Sequence, residues 1–544
     1  MAGAAALAVL RAAARECQLA APSFTDEQAA QGLAVTDELR ARFLPPDLAT
    51  AAQASSPLLQ LPAELLSVIL SNLDACDLAR LAATGRLLCR DAPTPPPPPR
   101  AIGPVETELR RRAEACGLDA GSSLPEGATS WVERLLKREC RDAQRRQTPL
   151  AAGHEHSIFV DKGGRLLTCG RDLDSTRLLG HALDPAADPT LCREIGPPTP
   201  VPSMQGRHIV SVATSNEHCL ALSVEGEVYS WGVGDGGALG HGDDGDRIVP
   251  SRIASLSRIE RIAAGRNCTS AAVDEKGQLF TWGLVSFVDQ GEDENGEIEG
   301  FLGPTGLGYE LDSETFFQPT PKWVEALSQD RVVGIALGYG FTLAVTDGGA
   351  VFSFGFCLEG GLGHGLSTSE VLPRHIQALA QTGRRFVAVA AGSCHALALT
   401  EEGELYGWGD EGANGHGREE RTPQRVAALI GHRVKLMTAQ DSAACAVTEK
   451  RELFTWGDVS PEHGNLGHDG SQATPKRVPG LSKVEVAAVA IGGMYTLAAD
   501  ADGVVWALGR HVALGLDTSI TVASDPVRTP TPIPMLRVRV LNSP

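Results

Sequence analysis

The stretch AGSCHALALTEEGELYGWG, residues 391–409, carries the pattern on which most of the chain is built. Two runs with alternating apolar residues lie on either side of Glu402 and Gly403. Alternation with a period of two is typical of half-buried β-strands, and an acidic residue followed by glycine is typical of a tight turn. The stretch is therefore predicted to form a β-hairpin, which is marginally stable alone because it cannot bury its apolar face.

The same pattern occurs seven times at a regular spacing. Each copy ends in a glycine that lies 17 or 18 residues after the residue that opens it, which is itself glycine in five copies. The closing glycines are Gly170, Gly232, Gly283, Gly355, Gly409, Gly457 and Gly509. The residues before them are Cys169, Trp231, Trp282, Phe354, Trp408, Trp456 and Leu508. Such regularity predicts seven structural repeats.

Each repeat continues with two further signatures. A loop leads to Leu-Gly or Asn-Gly, followed by histidine in five copies, and then to Pro-x-x-Val or Pro-x-x-Ile. The five histidines are His181, His241, His364, His416 and His468. Repeats of roughly 50 residues that contain several short strands predict a propeller, in which a ring of blades leaves only short strand edges exposed.

These repeats resemble those of the regulator-of-chromosome-condensation family over about residues 148–541. The resemblance implies a mainly β fold, with a seven-bladed β-propeller over residues 148–544. The tryptophans are then expected to pack between blades, since large aromatic side chains dominate core burial. The five histidines, and likewise His156, His218 and His395, recur around the ring and lie far apart. We therefore expect structural hydrogen bonds from them, and we predict no metal site.

The two ends of the repeat region differ from the other copies. Six copies follow an apolar strand, whereas the first is preceded by Pro149, a poor residue for a central strand. A surplus alternating run, Leu536–Leu541, stands at the other end. We therefore expect Leu536–Leu541 to pair with the first copy near Ser157–Val160, which would cover an exposed sheet edge.

Composition excludes several classes of function. The 544-residue chain has a net charge of −19, which argues against binding to nucleic acid or to an acidic membrane surface. Its twelve cysteines show no C-x-x-C pair and no zinc-type spacing, so reduced thiols of a cytoplasmic or nuclear protein are expected. The sequence has no P-loop, no G-x-S-x-G and no H-E-x-x-H motif. We therefore predict no catalytic residues and no cofactor.

Residues 59–92 have a different pattern. Leu65, Ile69 and Leu73 recur at helical spacing and form one apolar stripe, and Pro62 suits the first turn of a helix. An ordinary three-helix core has the same periodicity. The segment is also similar to an F-box, and this resemblance implies docking on a Skp-type adaptor and its cullin complex. The implied adaptor-binding residues are Leu61, Pro62, Leu65, Ile69, Leu73, Leu78 and Leu81.

The remaining N-terminal segments are less patterned. Residues 1–58 are expected to be flexible, and their alanine-rich start has some features of a mitochondrial presequence. Residues 93–147 combine a stiff proline spacer, Pro95–Pro99, with a helical linker. The basic residues between Arg134 and Arg146 are expected to form a solvated helix face, with a nuclear localisation signal as the alternative.

The third repeat contains a long acidic insertion at about residues 284–305. Its acidic residues match no calcium-binding loop. Long loops on a rigid scaffold commonly carry binding functions, so this loop is predicted to be solvated or to contact a partner. The candidate partner-binding residues are Asp289, Glu292, Asp293, Glu294, Glu297 and Glu299.

An adaptor-like motif joined to a binding scaffold leads to the main functional hypothesis. The chain is predicted to be the substrate-recognition subunit of a Skp-cullin-F-box ubiquitin ligase, with an unidentified protein substrate bound to the propeller. The founding family member suggests the alternative of a guanine-nucleotide exchange factor for a Ran-like small GTPase, and a non-enzymatic scaffold is the third. Plant UV-B photoreceptors resemble this propeller and carry light-absorbing tryptophans in successive blades, which are absent here, so UV-B sensing is not expected. The matching residues here are His154, Asn216, Tyr339, Ser393, Asp441 and Gly493, with Arg266 and Asn267 in the third copy.

Overall fold

The computed structural model describes the repeat region of the chain. The described residues are 148–172, 177–182, 194–266, 268–284, 286–292, 298–304, 306–310, 317–357, 359–365, 369–459, 464–468, 470–509 and 527–540. The F-box-like segment and both flanking segments, residues 1–147, lie outside this part of the chain. The expectations for those residues therefore stay predictions.

Seven four-stranded antiparallel sheets form the blades, which confirms the predicted seven-bladed propeller. Blade 1 contains β1 (Leu150–Ala152), β2 (His156–Val160), β3 (Leu166–Arg171) and β4 (Glu194–Pro200). Blade 2 contains β5 (Ile209–Thr214), β6 (His218–Ser223), β7 (Val228–Gly232) and β8 (Arg247–Arg252). Blade 3 contains β9 (Ile259–Gly265), β10 (Thr269–Asp274), β11 (Leu279–Leu284) and β14 (Phe317–Trp323), with a hairpin of β12 (Ser286–Glu292) and β13 (Ile298–Pro304) before its last strand. Blade 4 contains β15 (Val332–Leu337), β16 (Phe341–Thr346), β17 (Val351–Gly355) and β18 (Glu370–His375).

The other three blades follow the same order. Blade 5 contains β19 (Phe386–Ala391), β20 (His395–Thr400), β21 (Leu405–Gly409) and β22 (Glu420–Arg425). Blade 6 contains β23 (Val434–Gln440), β24 (Ala443–Thr448), β25 (Leu453–Gly457) and β26 (Gln472–Arg477). Blade 7 contains β27 (Val486–Ile491), β28 (Tyr495–Asp500), β29 (Val504–Gly509) and β30 (Val527–Arg537). Among the described residues, the helical segments are α1 (Gln377–Ala380) and single 3-10 turns at Pro202–Met204, Asp235–Gly237, Glu325–Leu327, Ala427–Leu429 and Pro479–Leu481.

The blades are arranged in a closed ring. The first strand of each blade contacts the first strand of the next, and β27 of blade 7 contacts β1 of blade 1. The first strands therefore surround the centre of the ring, and the fourth strands lie at its outside. Apolar residues from facing sheets of neighbouring blades form a series of separate cores.

The closing glycine of each repeat is required by a close backbone approach. At Gly409 the backbone has a φ of 95°, and a Cβ atom there would lie 2.2 Å from the carbonyl oxygen of Cys394. The same contact recurs in all seven copies, with the hypothetical Cβ 2.1–2.5 Å from the equivalent carbonyl oxygen. Only glycine fits such a position, because it tolerates a positive φ and has no side chain.

The tryptophans before these glycines pack between blades, as predicted. Trp231, Trp282, Trp408 and Trp456 are fully buried. Each donates a hydrogen bond of 2.8 Å from Nε1 to a loop carbonyl of the preceding blade. A buried indole N–H usually finds such an acceptor. The repeated Trp-Gly pair therefore joins neighbouring blades as well as closing the hairpin within a blade.

The prediction for the ring closure is wrong in its main point. Blade 1 has its own first strand, since β1 pairs with β2 and places Leu150 opposite Phe159. Pro149 is tolerated because it precedes this strand and only its carbonyl is used, as the acceptor for the Val160 N–H. Leu536 belongs to β30, the fourth strand of blade 7.

The surplus run nevertheless contacts the edge of blade 1 next to Asp161. Val538 forms a single bridge with Asp161, and the backbone N–H groups of Lys162 and Arg539 bond to the carbonyls of Arg537 and Val160 across the same junction. A packed core between blades 7 and 1 completes the closure. Each described blade is therefore built from one continuous part of the chain.

Candidate interaction face

Strand alternation brings the long loops of all blades to one face of the ring. The turns between first and second strands, such as residues 153–155 of blade 1, lie at the same end as the connections between third and fourth strands. The second-to-third connections, such as residues 224–227 of blade 2, are tight turns at the other end. We call the first surface the loop face. It is the surface most suited to binding, because loops on a rigid scaffold commonly carry function.

The centre of the loop face is crossed by a charged contact. Arg266 of blade 3 donates hydrogen bonds to the carboxylate of Asp441 in blade 6 and, at 3.0 Å, to Ser393 Oγ in blade 5. The Ser393 N–H in turn donates to the carbonyl of Asp441 at 2.8 Å, and the Tyr339 N–H donates to the carbonyl of Ser393 at 3.1 Å. These bonds hold turns from four blades in fixed positions at the mouth of the central channel.

In the sequence, Arg266, Ser393 and Asp441 stand out only because the matching positions of the plant photoreceptors differ. The contact between these residues was not predicted. Arg266 and Asp441 are 175 residues apart in the chain. Only the ring brings them together, so no local motif signals the pair. Tyr339, which is 39% exposed, stands beside them as an accessible aromatic side chain.

The turns between the first and second strands of blades 1 and 2 contain three buried polar atoms without a hydrogen-bond partner among the described residues. They are His154 Nδ1, Glu155 Oε2 and Asn216 Oδ1. An unpaired buried polar atom costs about 1–3 kcal/mol. A polar contact added at these turns of blades 1 and 2 would therefore remove part of this cost.

The acidic insertion of blade 3 also rises from the loop face. Its backbone forms an antiparallel hairpin, β12 paired with β13, in place of the predicted loop. Asp289, Glu292 and Glu299 lie on these strands, opposite Phe301, Ile298 and Gly291. The other candidate residues, Asp293, Glu294 and Glu297, lie outside the described residues. A partner-binding role for the six residues stays a prediction.

The five histidines of the Leu-Gly-His and Asn-Gly-His signatures make structural hydrogen bonds, as predicted. His181, His241, His364 and His468 each lie 2.9–3.0 Å from a serine or threonine hydroxyl of the same blade. His416 instead lies 3.2 Å from the carbonyl of Gly407. These hydrogen bonds fix the loops that carry the histidines to strands of the same blade.

The histidines at the start of the second strands are less uniform. His156 Nε2 lies 2.7 Å from Thr214 Oγ1, and His218 Nε2 lies 2.8 Å from Ser270 Oγ, so both link neighbouring blades. Burial lowers the pKa of His156 to about 3 and that of His218 to about 4, and both rings are neutral at pH 7. The prediction is wrong for His395, whose two buried ring nitrogens have no partner within the described residues.

The predicted adaptor-binding residues are not tested by this geometry. Leu61, Pro62, Leu65, Ile69, Leu73, Leu78 and Leu81 lie outside the described residues. Among the residues that are described, we find no helix with the length and apolar character needed to cross a membrane.

Comparison with known proteins places the propeller in a family. Human E3 ubiquitin-protein ligase HERC2 is 39% identical over 365 residues, which cover 65% of this chain and 7% of HERC2. The Arabidopsis thaliana ultraviolet-B receptor UVR8 is 34% identical over 215 residues, which cover 39% of this chain and 43% of UVR8. The chain thus spans less than half the length of either curated relative.

A solved structure and a family model agree with these matches. The crystal structure of Prp20p from Saccharomyces cerevisiae has a TM-score of 0.54 and 22% identity, and the match covers 73% of this chain and 89% of that one. At this identity it supports the fold alone. The model of the RCC1-like domain matches residues 178–542, about two thirds of the sequence. The chain therefore belongs to the RCC1-like domain family.

Proposed function

We propose that this protein is the substrate-recognition subunit of a Skp-cullin-F-box ubiquitin ligase and that the loop face of its propeller binds the protein substrate. The observation that carries the proposal is the loop face itself, where Arg266, Ser393 and Asp441 hold turns of different blades in fixed positions. A preorganised surface of this kind binds without a large ordering cost. In this role the chain recognises a protein and catalyses no reaction itself.

The N-terminal segment supplies the second half of the proposal. The F-box-like residues 59–92 contain the apolar stripe of Leu65, Ile69 and Leu73, which is suited to packing on an adaptor helix. The proline spacer Pro95–Pro99 separates this stripe from the propeller. The proposed complex forms in the cytoplasm or the nucleus, where Skp-type adaptors and cullins are expected to be met.

Adaptor capture tests the first half of the proposal. The full chain should recover a Skp-type adaptor from cells, and Leu65→Asp or Ile69→Asp should abolish recovery because an unpaired charge on the stripe is costly to bury. The unfolding midpoint of the propeller should stay unchanged in both variants. A wild-type chain that captures no adaptor, alongside an authentic F-box protein that does, would contradict the proposal.

Substrate capture tests the loop face. Arg266→Glu reverses the charge that bonds to Asp441 and should remove the co-purifying substrates identified by mass spectrometry. Arg433→Glu is the matched control, since this exposed arginine lies before β23 at the opposite face, where it pairs with Glu449 at 3.7 Å and donates to the carbonyl of Glu402 at 3.0 Å. If both variants retain the same substrates as the wild type, binding does not use the loop face.

An exchange-factor function is the second candidate, and the hairpin of β12 and β13 favours it. A two-stranded projection from one blade is a suitable element for insertion beside a bound nucleotide. Prp20p, whose fold is similar, is described as binding Gsp1p and histones. Nucleotide release from a Ran-like GTPase should accelerate in the presence of the full chain if this function is present, and an unchanged release rate would exclude it.

A further inference from the structure

Two cysteines and a glutamate converge on the loop face between blades 4 and 5. The sulfur atoms of Cys357 and Cys394 and a carboxylate oxygen of Glu359 all lie within 4.8 Å of one another. Cys357 follows the third strand of blade 4, and Cys394 immediately precedes the second strand of blade 5. No other group of this kind occurs among the residues that the structure describes.

The backbone holds this cluster in place from both blades. The Gly361 N–H donates to Cys357 Sγ at 3.3 Å, and Cys357 Sγ lies 3.8 Å from the carbonyl of Cys394. Trp408 of blade 5 donates to the carbonyl of the same Gly361. Contacts within blade 4 and across to blade 5 therefore fix the position of the Cys357 sulfur at the junction.

The spacing fits a tetrahedral cation after a small contraction. Zn²⁺ binds thiolate sulfur at about 2.3 Å and carboxylate oxygen at about 2.0–2.2 Å, so its ligand atoms lie roughly 3.5–3.8 Å apart. Cys357 Sγ and Glu359 Oε2 are already 3.7 Å apart. All three ligand atoms already lie within 4.8 Å of one another, so the contraction onto an ion is small.

The charge around the cluster also favours a cation. The carboxylates of Glu359, Glu411 and Asp458 lie close enough to that of Asp410 to interact with it electrostatically. A divalent cation at the cluster offsets this concentration of negative charge.

We propose that Cys357, Cys394 and Glu359 bind one Zn²⁺ ion, with water at the fourth position, and that the ion joins blades 4 and 5 at the loop face. Thiolates select borderline-soft cations such as Zn²⁺ over Mg²⁺ or Ca²⁺. The Glu359 carboxylate distinguishes this site from a pair of thiols that forms a disulfide, because a disulfide does not involve a third ligand.

The chain offers a matched control at another blade junction. Cys268 occupies in blade 3 the position that Cys394 occupies in blade 5, directly before the second strand. Its thiol lies 3.6 Å from Glu217 Oε2, but no second thiol accompanies it among the described residues. It therefore reproduces a thiol beside a carboxylate without the complete ligand set.

Zinc binding by the full chain tests the proposal. Reduced, metal-free protein is titrated with Zn²⁺ in competition with a chromogenic chelator. Cys357→Ser and Cys394→Ser should each lose one bound Zn²⁺, and Glu359→Gln should weaken that site about tenfold or more. Cys268→Ser should bind as the wild type does. Equal zinc stoichiometry and affinity in the wild type and both serine variants would overturn the proposal.

A second measurement needs no variant and so does not depend on the folding of one. Thiol alkylation of the wild-type chain, mapped by peptide mass spectrometry, should be slowed by Zn²⁺ at Cys357 and Cys394 and unchanged at Cys268. If Zn²⁺ does not change the alkylation rates of Cys357 and Cys394, the proposed site is wrong. Isolation of Cys357 and Cys394 as a disulfide from cells lysed in alkylating buffer would also overturn it, because disulfide sulfurs are not zinc ligands.

Discussion

The interface between blades 4 and 5 and the interface between blades 6 and 7 satisfy the same loop carbonyl with different residues. In the first, Trp408 Nε1 donates to the carbonyl of Gly361, and the residue opposite Trp408 in the sheet is Ala396. In the second, Leu508 replaces the tryptophan, and the residue opposite it, Thr496, donates to the carbonyl of Asn465 at 2.7 Å. The donor has moved to the neighbouring strand.

The same exchange occurs between blades 3 and 4. Phe354 stands in the tryptophan position there, and its cross-strand partner Thr342 donates to the carbonyl of Gly306 at 2.7 Å. A buried carbonyl needs a donor, but either of two facing side chains can supply it. The repeat therefore specifies a hydrogen bond between blades, and the residue that makes it is free to vary.

Removing a tryptophan should have the largest effect on this comparison. Trp408→Ala deletes a fully buried side chain and leaves the Gly361 carbonyl without its donor. We expect the free energy of unfolding to fall by about 3–5 kcal/mol, measured by chemical denaturation. A loss below about 1 kcal/mol would mean that the blades are held together elsewhere.

Comparing His218 of blade 2 with His395 of blade 5 tests a second kind of hydrogen bond between blades. His218 bonds to Ser215 and Ser270, so His218→Phe should cost about 2 kcal/mol at pH 7. His395 has no hydrogen-bond partner in the described part of the propeller, and Phe341 fills the equivalent place in blade 4, so His395→Phe should be nearly neutral at that pH. Equal losses in the two variants would show that these hydrogen bonds do not matter.

The cost of His218→Phe should also depend on pH. Burial lowers the pKa of His218 from 6.5 to about 4, so the unfolded chain binds more protons between these values and the wild type loses stability as the pH falls. The loss is about 1.4 kcal/mol per pH unit, and the phenylalanine variant does not have it. The difference of about 2 kcal/mol at pH 7 should therefore disappear near pH 5.

Removing the substitute donor should have a smaller effect. Thr496→Val keeps the side-chain volume but leaves the Asn465 carbonyl unpaired, which should cost about 1–2 kcal/mol. Thr529→Val, at an exposed position of β30, is the control and should change the free energy of unfolding by less than about 0.5 kcal/mol. Similar values for both would mean that the buried hydroxyl makes no useful bond.

The smallest change in the free energy of unfolding should come from moving the hydrogen-bond donor from residue 408 to residue 396. Trp408→Phe removes the indole N–H, and adding Ala396→Thr places a hydroxyl opposite it, as in blade 4. The double variant should recover about 1 kcal/mol of what the single variant loses. No recovery in a double-mutant cycle would show that the two facing strand positions are not interchangeable as hydrogen-bond donors.

Much of the fold was predictable because the same sequence pattern occurs in all seven repeats. The hairpins, the Trp-Gly positions and the structural histidines all depend on contacts within a repeat or between adjacent repeats. The way in which the ring closes was not predictable in detail. Pro149 indicated that blade 1 has no first strand, whereas β1 begins at the next residue, Leu150. The same applies to the candidate sites, since Arg266 and Asp441, or Cys357 and Cys394, meet only when separate blades assemble.

The continuous construction of each blade has a consequence for how the chain is synthesised. Every blade can dock on its predecessor as it leaves the ribosome, except the first, whose free side waits for blade 7. Ser157 and its partner Tyr495 are 338 residues apart, which corresponds to roughly 20–70 s of translation. During that time Leu150 and Phe159 lack the cover they have in the finished ring. We expect nascent chains stalled before residue 484 to crosslink to ribosome-associated chaperones through blade 1, and released full-length chains to lose that contact.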